Sequence, residues 1–85
     1  MKLCEHLSHS HYVAPMAHLC AECVAMGDTW VHLRTCLGCG HVGCCDSSKN
    51  KHATKHFHSS GHPVICSAEP HERWLWCYLD EQFVE

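Results

Sequence analysis

Cysteines and histidines recur along this chain in closely spaced pairs, and that pattern limits its fold more than any other feature. In order they are Cys4-x-His6, Cys20-x-x-Cys23, Cys36-x-x-Cys39, the adjacent Cys44 and Cys45, His52-x-x-x-His56, His62, and Cys77 followed by Asp80. Zn2+ takes four nitrogen, sulfur or oxygen ligands in a tetrahedron. Two cysteines separated by two residues in a tight turn can aim both sulfurs at one ion. Two such pairs, then H-x-x-x-H and a further histidine, read as a zinc scaffold. Size gives the scaffold its purpose: 85 residues suffice for one domain, 1–85, with a core too small to stand without a staple. The bland alternative is buried thiols and core histidines satisfied by hydrogen bonds. It fails because so short a chain cannot bury eleven imidazoles that way.

A disulfide framework is the rival use for nine cysteines. The odd count and the matching abundance of histidine favour metal. The stretch "MKLCEHLSHSHYVAP" contains no apolar segment of the kind that marks a secretory signal. No apolar run is long enough to span a membrane. The expected setting is therefore the reducing cytoplasm, where clustered cysteines bind zinc more often than they pair. A formal net charge of −3 argues against binding a phosphate backbone, which needs a basic surface. Lys49, Lys51 and Lys55 read as a solvated helix face. The expected partners are thus neither nucleic acid nor membrane, and the chain is expected to be monomeric.

The pattern along the chain predicts α+β: a small zinc-stabilised domain with a twisted antiparallel β-sheet, one main α-helix and interleaved zinc sites. Residues 1–18 read as an irregular arm. "LCAECVAMGD" holds a short helix stopped at Gly27. "TWVHLRT" alternates as a strand over 29–35, "CLGCG" is a metal-binding turn, and "HVGC" is a short strand. Ser47 or Ser48 offers an N-cap to a helix over "KNKHATKHFHSS", which ends near Gly61. "PVICS" and "RWLWCYL" are strands, the latter with Trp74, Trp76 and Tyr78 on one face, and "EQFVE" adds a last short one. Spacing alone leaves open whether His52 and His56 grip one ion or two.

The order C-x-H, C-x-x-C, W, C-x-x-C, C, H-x-x-x-H, G-H-P, W-C-Y resembles the UBP-type (BUZ) zinc finger of ubiquitin-specific proteases, also found in a histone deacetylase. The likeness runs from Cys4 to Tyr78. It implies three ligand sets. Cys20, Cys23, Cys44 and His52 form the first, and Cys36, Cys39, His56 and His62 the second. Cys4, His6, Cys77 and Asp80 form the third, Asp80 standing where members with this site have a cysteine. Three zinc ions are expected, and at least two. Cys44 rather than Cys45 is taken as the ligand because it stands five residues after Cys39, the family's spacing. Counting back from His52 would choose Cys45. Cys66 is left over as a buried free thiol.

Many fingers of this family bind the free C-terminal tail of ubiquitin in an aromatic slot, with an arginine on its carboxylate. By resemblance Trp30, Trp76 and Tyr78 are the peptide-binding walls. The family's C-G-R is here Cys44-Cys45-Asp46, so an aspartate replaces the arginine and would repel a carboxylate. The expectation is a non-catalytic protein or peptide interaction module, its partner a protein or peptide C-terminus other than free ubiquitin. Genuine ubiquitin-tail binding, a purely structural zinc domain whose aromatics are core, and, least, a zinc hydrolase are the alternatives.

Overall fold

The alternating segments form one antiparallel sheet. A computed structural model describes residues 3–85, so Met1 and Lys2 of the expected arm lie outside it. Its strands are β1 (Leu33–Cys36), β2 (Val42–Cys44), β3 (Val64–Ser67), β4 (Leu75–Cys77) and β5 (Gln82–Val84). They lie in the order β2-β1-β3-β4-β5. Three helices accompany them: α1 (Glu5–Ser8), α2 (Ala21–Ala25) and α3 (His52–Ser60). No described helix is long and apolar enough to cross a membrane.

Strand register sorts the side chains onto two faces. Arg34 pairs with Ser67, Cys36 with Ile65, Ile65 with Trp76, and Trp76 with Phe83. Residues of these pairs share the front of the sheet, because side chains alternate along a strand. The back carries Val64, Cys66, Leu75, Cys77 and Val84, closed over by Leu7 and Tyr12 of the N-terminal arm. A second apolar cluster, Cys20, Cys23, Leu33, Val42, Cys44 and Ala68, lies where α2 meets β2. Helix α3 packs on the front mainly at the β2–β1 end. Gly43 permits this approach, since a Cβ there would stand 2.8 Å from the Ala53 backbone nitrogen. The front of β3 to β5 is left open.

Three expectations about elements need correction. The arm is not wholly irregular, because residues Glu5–Ser8 turn into α1 and bury Leu7. The strand read over 29–35 begins at Leu33, because the Val31 N–H goes to Ser48 Oγ at 2.9 Å rather than to a neighbouring strand. Ser47 and Ser48 do not cap α3. The N-cap is Lys51, in the left-handed region at φ 49°, and the His52 N–H donates to Cys44 Sγ at 3.1 Å. A cysteine sulfur thus takes the place of the serine oxygen, while Ser48 is spent on Val31.

The arm is tied to the back by few contacts. Leu7 is buried, the Cys66 thiol donates to the Val13 carbonyl at 3.5 Å, and Arg73 stacks on Tyr12. Burying a leucine contributes roughly 2 kcal/mol. Ordering backbone costs about 1–2 kcal/mol per residue. Leu7 alone therefore cannot hold the arm.

Candidate metal centres and the aromatic slot

Three groups of side chains bring their ligand atoms within 4.8 Å of one another: Cys20, Cys23, Cys44 and His52; Cys36, Cys39, His56 and His62; and Cys4, His6, Cys77 and Asp80. In a tetrahedron with zinc–sulfur bonds near 2.3 Å and zinc–nitrogen bonds near 2.0 Å, ligand atoms stand about 3.5–3.8 Å apart. In the first group His52 Nδ1 lies 3.2, 3.4 and 3.5 Å from the sulfurs of Cys20, Cys23 and Cys44, and Cys23 and Cys44 are 3.9 Å apart. In the second, Cys36 Sγ is 3.5 Å from His62 Nδ1 and Cys39 Sγ 3.3 Å from His56 Nε2. In the third, Cys77 Sγ is 3.6 Å from His6 Nδ1 and 3.7 Å from Asp80 Oδ2, while His6 Nδ1 and Asp80 Oδ2 stand closer, at the 2.8 Å of a hydrogen bond. Soft sulfur and imidazole donors at these separations fit zinc.

Local structure explains the placement. The C-x-x-C of the first group sits at the start of α2, and β2 ends at Cys44 beside the first turn of α3, which carries His52. One turn further along α3, His56 faces the Cys36–Cys39 turn. Gly38 in that turn admits the His62 ring, because a Cβ there would meet His62 Cγ at 2.5 Å. His52 and His56 thus serve different groups. Cys45 turns away from the metal groups: its sulfur lies 3.4 Å from Ser48 Oγ and lines a different cavity.

Neighbouring groups hold the donors in place, as is usual around zinc. Burial pushes the Cys23 thiol up to about 11, partly offset by the Asn50 amide, 3.7 Å from its sulfur. Asn50 also donates to Asp28 at 3.0 Å, and this keeps the Asp28 carboxyl below its ordinary range. His41, not singled out in the sequence, stacks on His56 with ring centres 4.0 Å apart, and its Nε2 lies 3.0 Å from Glu22. Burial first, then the charges of His41 and His62, holds His56 below the usual histidine range, which favours the neutral ring that binds metal. His58 and His71 belong to none of the groups.

The open front of the sheet forms a cavity of about 250 Å³. Its aromatic walls are Trp74, Trp76, Tyr78 and Phe83. Tyr78 is backed by Phe57, stacked at 4.5 Å. Trp30 does not line it; it packs against the apolar cluster beside α2. Trp74, Phe83 and Arg34 take part instead, none of them read from sequence as a wall. The Arg34 guanidinium lies 4.5 Å over the Trp74 ring and forms no ion pair among the described residues. Asp46 lines the same cavity and accepts a 2.6 Å hydrogen bond from Thr54 Oγ1, which is 3.1 Å from the Tyr78 hydroxyl. The slot therefore carries one charge of each sign among aromatic rings.

A profile of the zf-UBP family, "Zn-finger in ubiquitin-hydrolases and other protein", matches residues 20–85. Ubiquitin carboxyl-terminal hydrolase 44 of Ailuropoda melanoleuca is 33% identical over 90 residues, covering 99% of this chain and 12% of that protein. The NAD-dependent deacetylase sir2A of Dictyostelium discoideum is 32% identical over 65 residues, covering 76% of this chain and 11% of its own length. The chain thus spans about an eighth or less of these relatives. The solution NMR structure of protein RPA1320 from Rhodopseudomonas palustris superposes with a TM-score of 0.85 at 50% identity, over 100% of this chain and 83% of that one.

Proposed function

Because this chain belongs to the zf-UBP family of zinc fingers, we propose that it is a non-catalytic, zinc-stabilised interaction module whose slot receives the end of a protein or peptide chain. Three zinc ions sit in it. Cys20, Cys23, Cys44 and His52 hold one; Cys36, Cys39, His56 and His62 hold the second; Cys4, His6, Cys77 and Asp80 hold the third. No ligand set leaves the open fourth position that a catalytic zinc keeps for water. Thiolates in such numbers need a reducing setting, and the cytoplasm supplies it.

The observation that carries the binding role is the cavity walled by Trp74, Trp76, Tyr78 and Phe83 on a sheet face that α3 leaves uncovered. The aromatics are therefore not all core. Asp46 in that cavity disfavours any carboxylate placed beside it, so the preferred occupant is a chain end gripped by its side chains on the aromatic walls and not, like the free ubiquitin tail, by its terminal carboxylate. One observation favours ubiquitin's tail as a second reading: Arg34, brought from β1 and held against Trp74, offers a guanidinium without an ion-pair partner.

Calorimetric titration separates the two readings. Its ligands are ubiquitin, ubiquitin lacking its last two glycines, and a library of C-terminal peptides in free-acid and amidated forms. The preferred reading expects peptide binding that Trp76→Ala removes, with negligible affinity for ubiquitin. Tail-dependent ubiquitin binding that falls at least about tenfold in Arg34→Ala, the loss typical of one charged hydrogen bond, establishes the second reading instead. Absence of binding by every ligand sinks the module reading.

A further inference from the structure

We infer that the centre of Cys4, His6, Cys77 and Asp80 is an exchangeable zinc site whose occupancy decides whether the N-terminal arm stays docked on the back of the sheet. The other two centres keep their zinc throughout. This inference rests on the ligand sets proposed above and goes beyond them in ranking the three.

The ranking follows from donors and access. The first centre has three sulfurs, all from cysteines with 0% exposure, and His52 beside them. The third has two sulfurs, one imidazole and one carboxylate oxygen, the hardest and least zinc-selective donor of the set. Two of its four ligands are open to water: His6 is 41% exposed and Asp80 43%. A shallow hollow lined by Leu3, Cys4, Glu5, His6, Ser8 and Asp80 leads onto it. A competing ligand can enter there and displace Asp80 without disturbing the sheet. The second centre lies between: Cys39 is exposed, but Cys36 is buried and His56 and His62 are half-buried, with His56 braced by the His41 ring, and it has no carboxylate donor.

The coupling follows from where the ligands stand. Cys4 and His6 belong to the arm, whereas Cys77 and Asp80 belong to β4 and the turn after it. This is the one centre that joins two parts of the chain otherwise held by few contacts. Those contacts are Leu7 in the back cluster, Cys4 N–H on Gln82 Oε1 at 2.7 Å, the exposed His6 Nδ1–Asp80 Oδ2 hydrogen bond at 2.8 Å, the Cys66–Val13 contact and the stack of Arg73 on Tyr12. When zinc leaves, Cys4 and His6 lose their shared anchor on Cys77 and Asp80, and what still ties them to β5 and the turn before it is the Cys4–Gln82 bond and a solvent-exposed His6–Asp80 pair, worth little in water. The arm then frees the face it covers, and Cys66, 0% exposed in the docked state, becomes open to solvent. Cys66 is no ligand in any group, so its accessibility reports the arm and not the metal.

The test is a titration of the intact zinc-loaded chain with a chelator of moderate affinity. Zinc per chain is read by native mass spectrometry, and iodoacetamide labelling of each cysteine is mapped on peptides. The expected result is an accumulating two-zinc species in which Cys4, Cys77 and Cys66 label together, while Cys20, Cys23, Cys36, Cys39 and Cys44 stay protected. Asp80→Cys should keep the third zinc to a chelator concentration at least about tenfold higher, because thiolate is a softer donor for zinc than a carboxylate oxygen and even an outer-shell change shifts affinity on that scale. It should delay Cys66 labelling equally. Loss of all zinc in one step, first labelling at Cys36 and Cys39, or a two-zinc species with Cys66 still protected each overturns the inference while leaving the ligand sets intact. If neither the wild-type chain nor Asp80→Cys ever holds more than two zincs, the third ligand set itself is wrong and the inference falls with it.

Discussion

Cys44 and Cys45 are adjacent and turn to opposite surroundings. Cys44 ends β2 with its sulfur 3.5 Å from His52 Nδ1 and accepting the first N–H of α3, whereas Cys45 faces Ser48 and the slot. Cys44→Ser should therefore lose a zinc and unfold much of the domain, a cost of several kcal/mol. Cys45→Ser should keep full zinc content and lose less than about 1 kcal/mol. Metal analysis with denaturant titration of the two variants measures both. Family spacing from Cys39 chose Cys44 because the short strand fixes the register on that side. No comparable signal existed for Arg34. Its position over Trp74 depends on β1 lying next to β3, and β3 next to β4. That is a relation between residues distant in sequence. For Trp30 the converse holds: its spacing matches a wall residue, while its side chain packs beside α2 and does not line the cavity.

At the scale of elements, α3 carries the strictest geometric demand. It lies directly on β2 at Gly43, and its first and fifth residues, His52 and His56, point to different metal centres. Gly43→Ala places a Cβ 2.8 Å from the Ala53 backbone nitrogen, which no side-chain rotation can relieve. The helix must move, so both flanking centres should weaken and stability should fall by about 1–3 kcal/mol. Gly38→Ala presses on the His62 side chain and should disturb the second centre first. Zinc counting with thermal melts distinguishes the two. Alternating strands were readable because one face of each packs on apolar residues. The start of α3 was not, since its first N–H is taken by a sulfur from another strand, an acceptor that local rules for serine caps do not consider.

Taken whole, a third of the buried apolar residues described, five of fifteen, are cysteines of the metal groups. Of the six buried residues in the cluster beside α2, three are the cysteines of the first centre. A zinc-free chain would have to bury these thiols beside an imidazole with no ion to organise them. Exhaustive chelation should therefore abolish the tryptophan near-ultraviolet dichroism and broaden the amide spectrum, and added zinc should restore both. A folded zinc-free chain with unchanged spectra would contradict this. One further consequence lies in the Cys4–Gln82 hydrogen bond, which sets the two ends of the fold side by side. A longer polypeptide carrying this finger would enter and leave it at one corner, so that the finger hangs from its host like a pendant. Tension along such a host would bear first on that corner, where the arm meets the edge strand β5.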